Sequence, residues 1–306
     1  MALHIPTPLI HSLPLSKLAG IPIYLKLELL QPSGSFKDRG MGHLVKTLKA
    51  RGATHLVSSS GGNAGHSAAH AGRALGMPVK VIVPSTTKKV MLDLIRAQGA
   101  DVEVYGDNWN AADEKARAMV EADSTAAYIS PYDDPLLWEG HSTLVDELVG
   151  SGVRPGAIVA SVGGGGLLCG IFRGLKRHGW DDVAVIAAET EGAASFAAAF
   201  EAGEVRRLSG ITSVATSLGA LEVTPAALQY AKAQPTRAQV STITHALPLK
   251  KKMLVEPACG AALAVAYIPA KAQSLASFTS VVIVVCGGSG VTVDYLKAWE
   301  QQFLSA

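Results

Sequence analysis

The sequence predicts an α/β fold: two domains with parallel-type twisted sheets flanked by helices. Three observations lead there. Short apolar runs alternate with helix-patterned stretches along nearly the whole chain. Several of those runs are continuously apolar, as in strands covered on both faces. The turns after the strands are rich in glycine and serine, where α/β proteins place their ligands. At 306 residues the chain is long for one core, and its 48% hydrophobic content suffices for more than one.

In chain order, the strand runs are Ile23–Leu29, His55–Ser59, Val79–Val83, Val102–Tyr105, Ala126–Ile129, Ala157–Val162, Val183–Ala188 and Val281–Cys286. Helical stretches between them are Ala64–Leu75, Lys88–Gln98, Trp109–Ala122, Leu136–Val149 and Gly166–Arg177. Asn63 is placed to cap the first helix, with Gly76 and Pro78 to stop it. Asp133-Asp134-Pro135 reads as a turn and cap before Leu136. The longest uncharged run, Gly156 to Phe172, carries four glycines in its middle and reads as strand, turn and helix, not as a membrane span.

Composition excludes some classes of function. A net charge of +2 gives no electrostatic reason for nucleic acid or acidic lipid as a partner, and Lys250–Lys252 is too short a basic run to change that. Cys169, Cys259 and Cys286 fit neither a disulfide framework nor a zinc ligand set, so a reducing, cytoplasmic setting is expected. The N-terminus lacks a secretory pattern. His66 and His70 stand four apart on a helix, but the glutamate of the zinc-binding H-E-x-x-H pattern is missing.

Chemistry concentrates in four turns: Ser33–Lys37, Ser58–Gly65, Gly163–Gly166 and Cys286–Gly290. Lys37 sits where a strand gives way to a helix, beside Phe36. Lost solvent and the helix N-terminus both favour a neutral amine there, the form that condenses with an aldehyde. Gly163 to Gly166 expose successive backbone N–H groups at a helix start, which suits a phosphate. Neither a dinucleotide fingerprint nor a P-loop can be matched to them. Ser60 and its neighbouring N–H groups could hold a carboxylate. Cys286 could face a ring nitrogen, or be a buried structural thiol.

Together these turns resemble the fold-type-II (tryptophan-synthase-β-like) pyridoxal-phosphate enzymes, most closely the serine dehydratase branch. The resemblance rests on stretches in family order: Pro32–Gly40, Ser58–Ala69, Asp133–His141, Ser161–Gly170, Glu189–Phe196, Ile211–Gly219, Val255–Leu263 and Val284–Gly290. It implies that Lys37 carries pyridoxal 5'-phosphate as an imine and later acts as the base, and that Phe36 lies against the ring. Asn63 would meet the 3'-oxygen, Gly163, Gly164, Gly165, Gly166 and Leu167 would hold the phosphate, and Cys286 would face the pyridine nitrogen. Ser60, Gly61, Asn63 and Ala64 would hold the substrate carboxylate. Glu189, Ala193, Ser195, Leu218 and Ala220 match positions around a monovalent cation such as K+. The implied domains are 36–134 (small) and 1–35 with 135–306 (large), in a homodimer. The implied reaction is β-elimination of L-serine, and of L-threonine, to a 2-oxo acid and ammonia. The rival readings are a β-replacement synthase, a serine racemase and a catalytically weak cofactor-binding homologue. One stretch departs from the family pattern. Thr242 to Val255 is too short for the expected helix, and Ile268–Ser280 is also short, which implies altered packing beneath Glu256–Ala262.

Overall fold

The computed structural model describes residues 2–234, 238–243 and 253–304. The strands are β1 (Leu9–His11), β2 (Ile23–Lys26), β3 (His55–Ser58), β4 (Val79–Val83), β5 (Asp101–Val104), β6 (Ala126–Ile129), β7 (Ala157–Ser161), β8 (Ala184–Thr190), β9 (Ala238–Ile243) and β10 (Val281–Val284). The helices are α1 (Leu13–Ala19), α2 (Lys37–Ala50), α3 (Asn63–Leu75), α4 (Lys89–Ala97), α5 (Trp109–Ala122), α6 (Pro135–Gly150), α7 (Gly166–Arg177), α8 (Ser195–Ala202), α9 (Pro225–Ala233), α10 (Pro257–Tyr267), α11 (Pro269–Gln273) and α12 (Val293–Leu304).

Among the described residues the strands form two sheets. One runs β1-β2-β10-β7-β8-β9 and the other β5-β4-β3-β6. Every pairing is parallel except β1 on β2. The apolar runs explain the centre of the larger sheet: β7, β8 and β10 are buried along their whole length, as strands covered on both faces must be. Parallel register brings Val284 beside Lys26 and Ser161 beside Ala188. The turns after β2, β7, β8 and β10 therefore leave the sheet at the same edge. The turn after β3 leaves the corresponding edge of the smaller sheet.

Three expectations need correction. The first strand stops at Lys26, because the chain turns through a 3-10 segment, Glu28–Leu30, whose Leu29 N–H donates to Val285 O at 3.0 Å. Asn63 is not the cap of α3: Gly62 holds that place in extended backbone, and Asn63 is the first helical residue with its side chain turned elsewhere. Packing around residues 256–262 is intact, since every residue from Pro257 to Ala266 is buried and α10 lies against β7 and β8. Asp134 does cap α6, accepting from Leu136 N at 2.7 Å. The short stretch expected to replace a helix, residues 244–252, lies outside the described residues. No helix among the described residues is long and apolar enough to cross a membrane.

Candidate active site

The start of α2 is fixed by the two side chains that follow Lys37. Asp38 accepts from Ser33 N at 2.7 Å, Ser33 Oγ at 2.6 Å and Ser67 Oγ at 2.5 Å, which folds the Ser33–Phe36 loop back and ties it to α3. Arg39 is fully buried and donates to both Glu28 oxygens at 2.7 Å and to Glu147 at 2.6 and 2.9 Å. Glu147 also receives Lys26 Nζ at 2.5 Å. Burial works against the guanidinium charge, but the hydrogen bonds it donates to Glu28 and Glu147 outweigh it and raise the pKa.

Lys37 is half-buried, with Nζ donating to Pro131 O at 2.5 Å and standing 5.1 Å from the Phe36 ring centroid. Burial pulls the amine down to about 8, opposed by the nearby Cys286 thiol. A neutral, nucleophilic amine is thus within reach at neutral pH. Phe36 packs on His141, ring centroids 5.0 Å apart and tilted by 58°. His141 is fully buried; burial, then the Lys37 and Arg39 charges, hold its imidazole well below the usual range.

Cys286 follows β10, and its carbonyl accepts from Phe36 N at 3.1 Å, so the thiol and the lysine belong to one backbone knot. Interaction with Cys259 and then burial push the Cys286 thiol pKa up, which keeps it neutral. A side-chain hydrogen bond with Ser161 opposes that shift, and nearby Ser35 Oγ is buried with no hydrogen-bond partner among the described residues. A buried hydroxyl without a partner suits a polar ligand.

The glycine tetrad connects to Lys37 through Tyr132, the residue after Pro131. A Cβ on Gly164 would lie 2.2 Å from the Tyr132 ring. Gly165 has a φ of +90° and occupies the cap of α7. Gly166 opens α7 and Leu167 is buried in its first turn. All four glycines therefore have packing or backbone reasons of their own, and the loop still presents a helix N-terminus.

The β3–α3 turn reaches the same place from the smaller sheet. Asn63 Nδ2 donates to Glu256 Oε2 at 3.1 Å, and Asn63 Oδ1 accepts from Ser289 N at 3.0 Å. Gly61 abuts Thr87, whose Oγ1 and Cγ2 would lie 2.7 Å from an added Cβ. Ser60 Oγ accepts from Gly62 N at 3.4 Å, and Ala64 is buried at the start of α3. Lys37, Phe36, Asn63, Cys286, the tetrad and the Ser60–Ala64 turn are thus linked through adjoining loops.

The cation candidates gather behind the tetrad. Fully buried Glu189 accepts from Phe196 N and Ala197 N at 3.0 and 2.7 Å, and burial lifts its carboxyl to about 7 against those bonds. Ser195 Oγ lies 3.5 Å from Gly163 O, and an added Cβ on Gly163 would press on Leu218. Ala193 N donates to Thr190 O and Ala220 N to Leu218 O. His66 instead meets Gln98, at 3.2 Å. Cavities of about 240 and 260 Å³ lie away from these loops, beside α4 and beneath the N-terminal segment at Arg39.

Sequence reasoning missed Asp38, Arg39 and Glu256 as site-forming residues. A signal existed for the last: Glu256 is the one charge in the stretch from Met253 to Tyr267. A lone carboxylate in so apolar a segment calls for buried partners.

The residues present fit a phosphorylated aldehyde: a lysine with a lowered pKa, a helix N-terminus after the glycine tetrad and the unpartnered Ser35 hydroxyl stand on adjoining loops. A family profile described as "Pyridoxal-phosphate dependent enzyme" matches residues 1–287. The "L-serine dehydratase/L-threonine deaminase" of Mus musculus is 45% identical over 98% of this chain and 96% of its own. A human "Serine dehydratase-like" protein is 43% identical over 96% and 93%. The crystal structure of a fungal L-serine ammonia-lyase from Rhizomucor miehei superposes with a TM-score of 0.90 at 34% identity, covering 99% of this chain and all of that one.

Proposed function

The chain belongs to the pyridoxal-phosphate-dependent enzyme family, and on that premise we propose that it is an L-serine ammonia-lyase, with L-threonine as a second substrate. The observation that carries the proposal is Lys37: an amine with its pKa lowered to about 8, held at the start of α2 against the Pro131 carbonyl and beside Phe36 and Cys286. The names and near-complete coverage of its relatives favour elimination over the other reactions of the fold.

Pyridoxal phosphate, when bound, supplies the electron sink that makes a substrate Cα–H acidic. The chain's own residues do the rest. Lys37 would hold the cofactor covalently, and its neutral amine would take the substrate's Cα proton. The N–H groups of Gly163 to Gly166 and Leu167 would hold the phosphate, Asn63 would donate to the 3'-oxygen, and Phe36 would bear on the ring. Ser60, Gly61, Asn63 and Ala64 hold the substrate carboxylate. Cys286, kept neutral, gives the ring nitrogen only a weak partner. Loss of the β-hydroxyl as water and later hydrolysis leave pyruvate and ammonia.

The proposal extends to the protein as a whole. Residues 36–134 form a small domain and the flanks a large one, which the two sheets and their separate cores support. A monovalent cation, K+ by the family pattern, sits at Glu189, Ala193, Ser195, Leu218 and Ala220, supported by the buried Glu189. The enzyme is a cytoplasmic homodimer, supported by three buried free cysteines and by exposed Ile10, Leu13 and Leu18 along β1 and α1. Incubation with L-serine, with pyruvate read through lactate dehydrogenase, tests the reaction. The expected result is pyruvate and ammonia in equal amounts; cofactor-loaded protein that releases neither would overturn it.

A further inference from the structure

Glu256 stands at the start of α10, where an acidic side chain ordinarily turns back onto the helix's own free N–H groups. It does not do so here. The side chain is buried and reaches to the turns after β3 and β10 instead. Oε1 accepts from Gly290 N at 2.7 Å, and Oε2 accepts from Asn63 Nδ2 at 3.1 Å and from Ser217 Oγ. Three segments, from both sheets, converge on one carboxylate.

We infer that Glu256 is a positioning residue that decides which end of the Asn63 amide faces the cofactor. The inference rests on the reading of Asn63 given under the proposed function. An asparagine amide is nearly symmetric in shape, so its orientation is set by its partners. Here both partners are unambiguous. Ser289 N–H can only donate, and it meets Oδ1 at 3.0 Å. The Glu256 carboxylate can only accept, and it meets Nδ2. One hydrogen of Nδ2 is engaged by Glu256, which leaves the second as a donor for the cofactor's 3'-oxygen. Turning the amide over would set donor against donor at Ser289, acceptor against acceptor at Glu256, and an oxygen toward an oxygen in the cleft.

Glu256→Gln removes this control while keeping the shape. With its oxygen on Gly290 N, the new amide turns an NH2 toward Asn63 Nδ2. The Asn63 amide must then clash with Glu256→Gln or flip and clash with Ser289. The test uses holoenzyme spectra and cofactor titration of apoprotein by fluorescence for Glu256→Gln, Asn63→Ala, the double variant and Ser217→Ala. A hydrogen bond to a charged group is at stake, so Glu256→Gln and Asn63→Ala should each weaken cofactor binding about tenfold or more and shift the absorption maximum. The double variant should match Asn63→Ala alone, because Glu256 acts through Asn63. Ser217→Ala, which loosens Glu256 without touching Asn63, should leave the absorption maximum in place. If Glu256→Gln does not fold, Glu256→Ala serves, with a smaller spectral shift expected because Ser289 N–H still holds Asn63 Oδ1. A wild-type spectrum in Glu256→Gln, or a full additional effect on top of Asn63→Ala, overturns the role of Glu256. A wild-type spectrum and affinity in Asn63→Ala overturns the reading of Asn63 itself, and the inference with it.

Discussion

Lys37, Asp38 and Arg39 are consecutive, yet each meets a different environment. Lys37 faces the cleft, Asp38 closes the preceding loop, and Arg39 enters a buried ion network. Removing one partner of such a buried pair costs about 3–5 kcal/mol, because the other charge is left unpaired. Glu28→Ala should therefore lower the midpoint of urea unfolding markedly while far-UV dichroism below the transition stays native. Gly61 offers a sharper test. A methyl group there meets Thr87 at 2.7 Å. Gly61→Ala should raise KM for serine, and Gly61→Ala with Thr87→Ser, which removes the clashing Cγ2, should recover part of the loss. Equal KM in the two variants would dismiss the contact. Cys286→Asp should raise side reactions relative to elimination, since a carboxylate stabilises a protonated ring nitrogen better than a thiol does; unchanged product partitioning would count against that role. At this scale Lys37 was legible because its neighbours are unusual in sequence. Asn63 was misread as a cap because partners more than 190 residues away, Glu256 and Ser289, claim its amide.

Between elements, one tight constraint is the contact of α2 with α6. A Cβ on Gly140 would lie 2.2 Å from Arg39 O and 2.7 Å from Gly40 Cα, so the helices meet backbone to backbone. Overpacking of this kind costs about 1–3 kcal/mol or more. Gly140→Ala should destabilise the protein by at least that much in urea, and should disturb Lys37 through the shift of α2. Helices α3 to α7 were readable from periodicity and glycine stops, and α5 and α7 match their expected bounds. Strands β1 and β9 were not. β1 has three residues on an antiparallel edge, and β9 mixes glutamine, serine and threonine with its apolar positions, so neither gives an apolar run. Their pairing comes from the neighbouring strand, which local sequence does not reveal.

Over the whole molecule, the lysine is a cost that the fold carries for function. Its pKa is about 8 in the folded apoprotein against 10.5 in the unfolded chain. Between those values the unfolded state binds more protons, so stability rises with pH across that window, and the penalty is fully present below pH 8. Urea midpoints of apoprotein between pH 7 and 10.5 should rise less steeply in Lys37→Met than in wild type. Parallel slopes would mean that the amine is not desolvated. The two-sheet architecture was legible because parallel strands advertise themselves as apolar runs. The way the sheets' loops interlock was not, since Glu256, Asn63 and Ser289 lie far apart in the chain and adjacent in space.

The central claim is a covalent bond between Lys37 and the cofactor. Borohydride reduction of the holoenzyme, proteolysis and mass spectrometry test it directly. The account predicts one reduced pyridoxyl-phosphate modification, on the peptide containing Lys37 and absent from Lys37→Ala. A modification on another lysine, or none on cofactor-loaded protein, would contradict it.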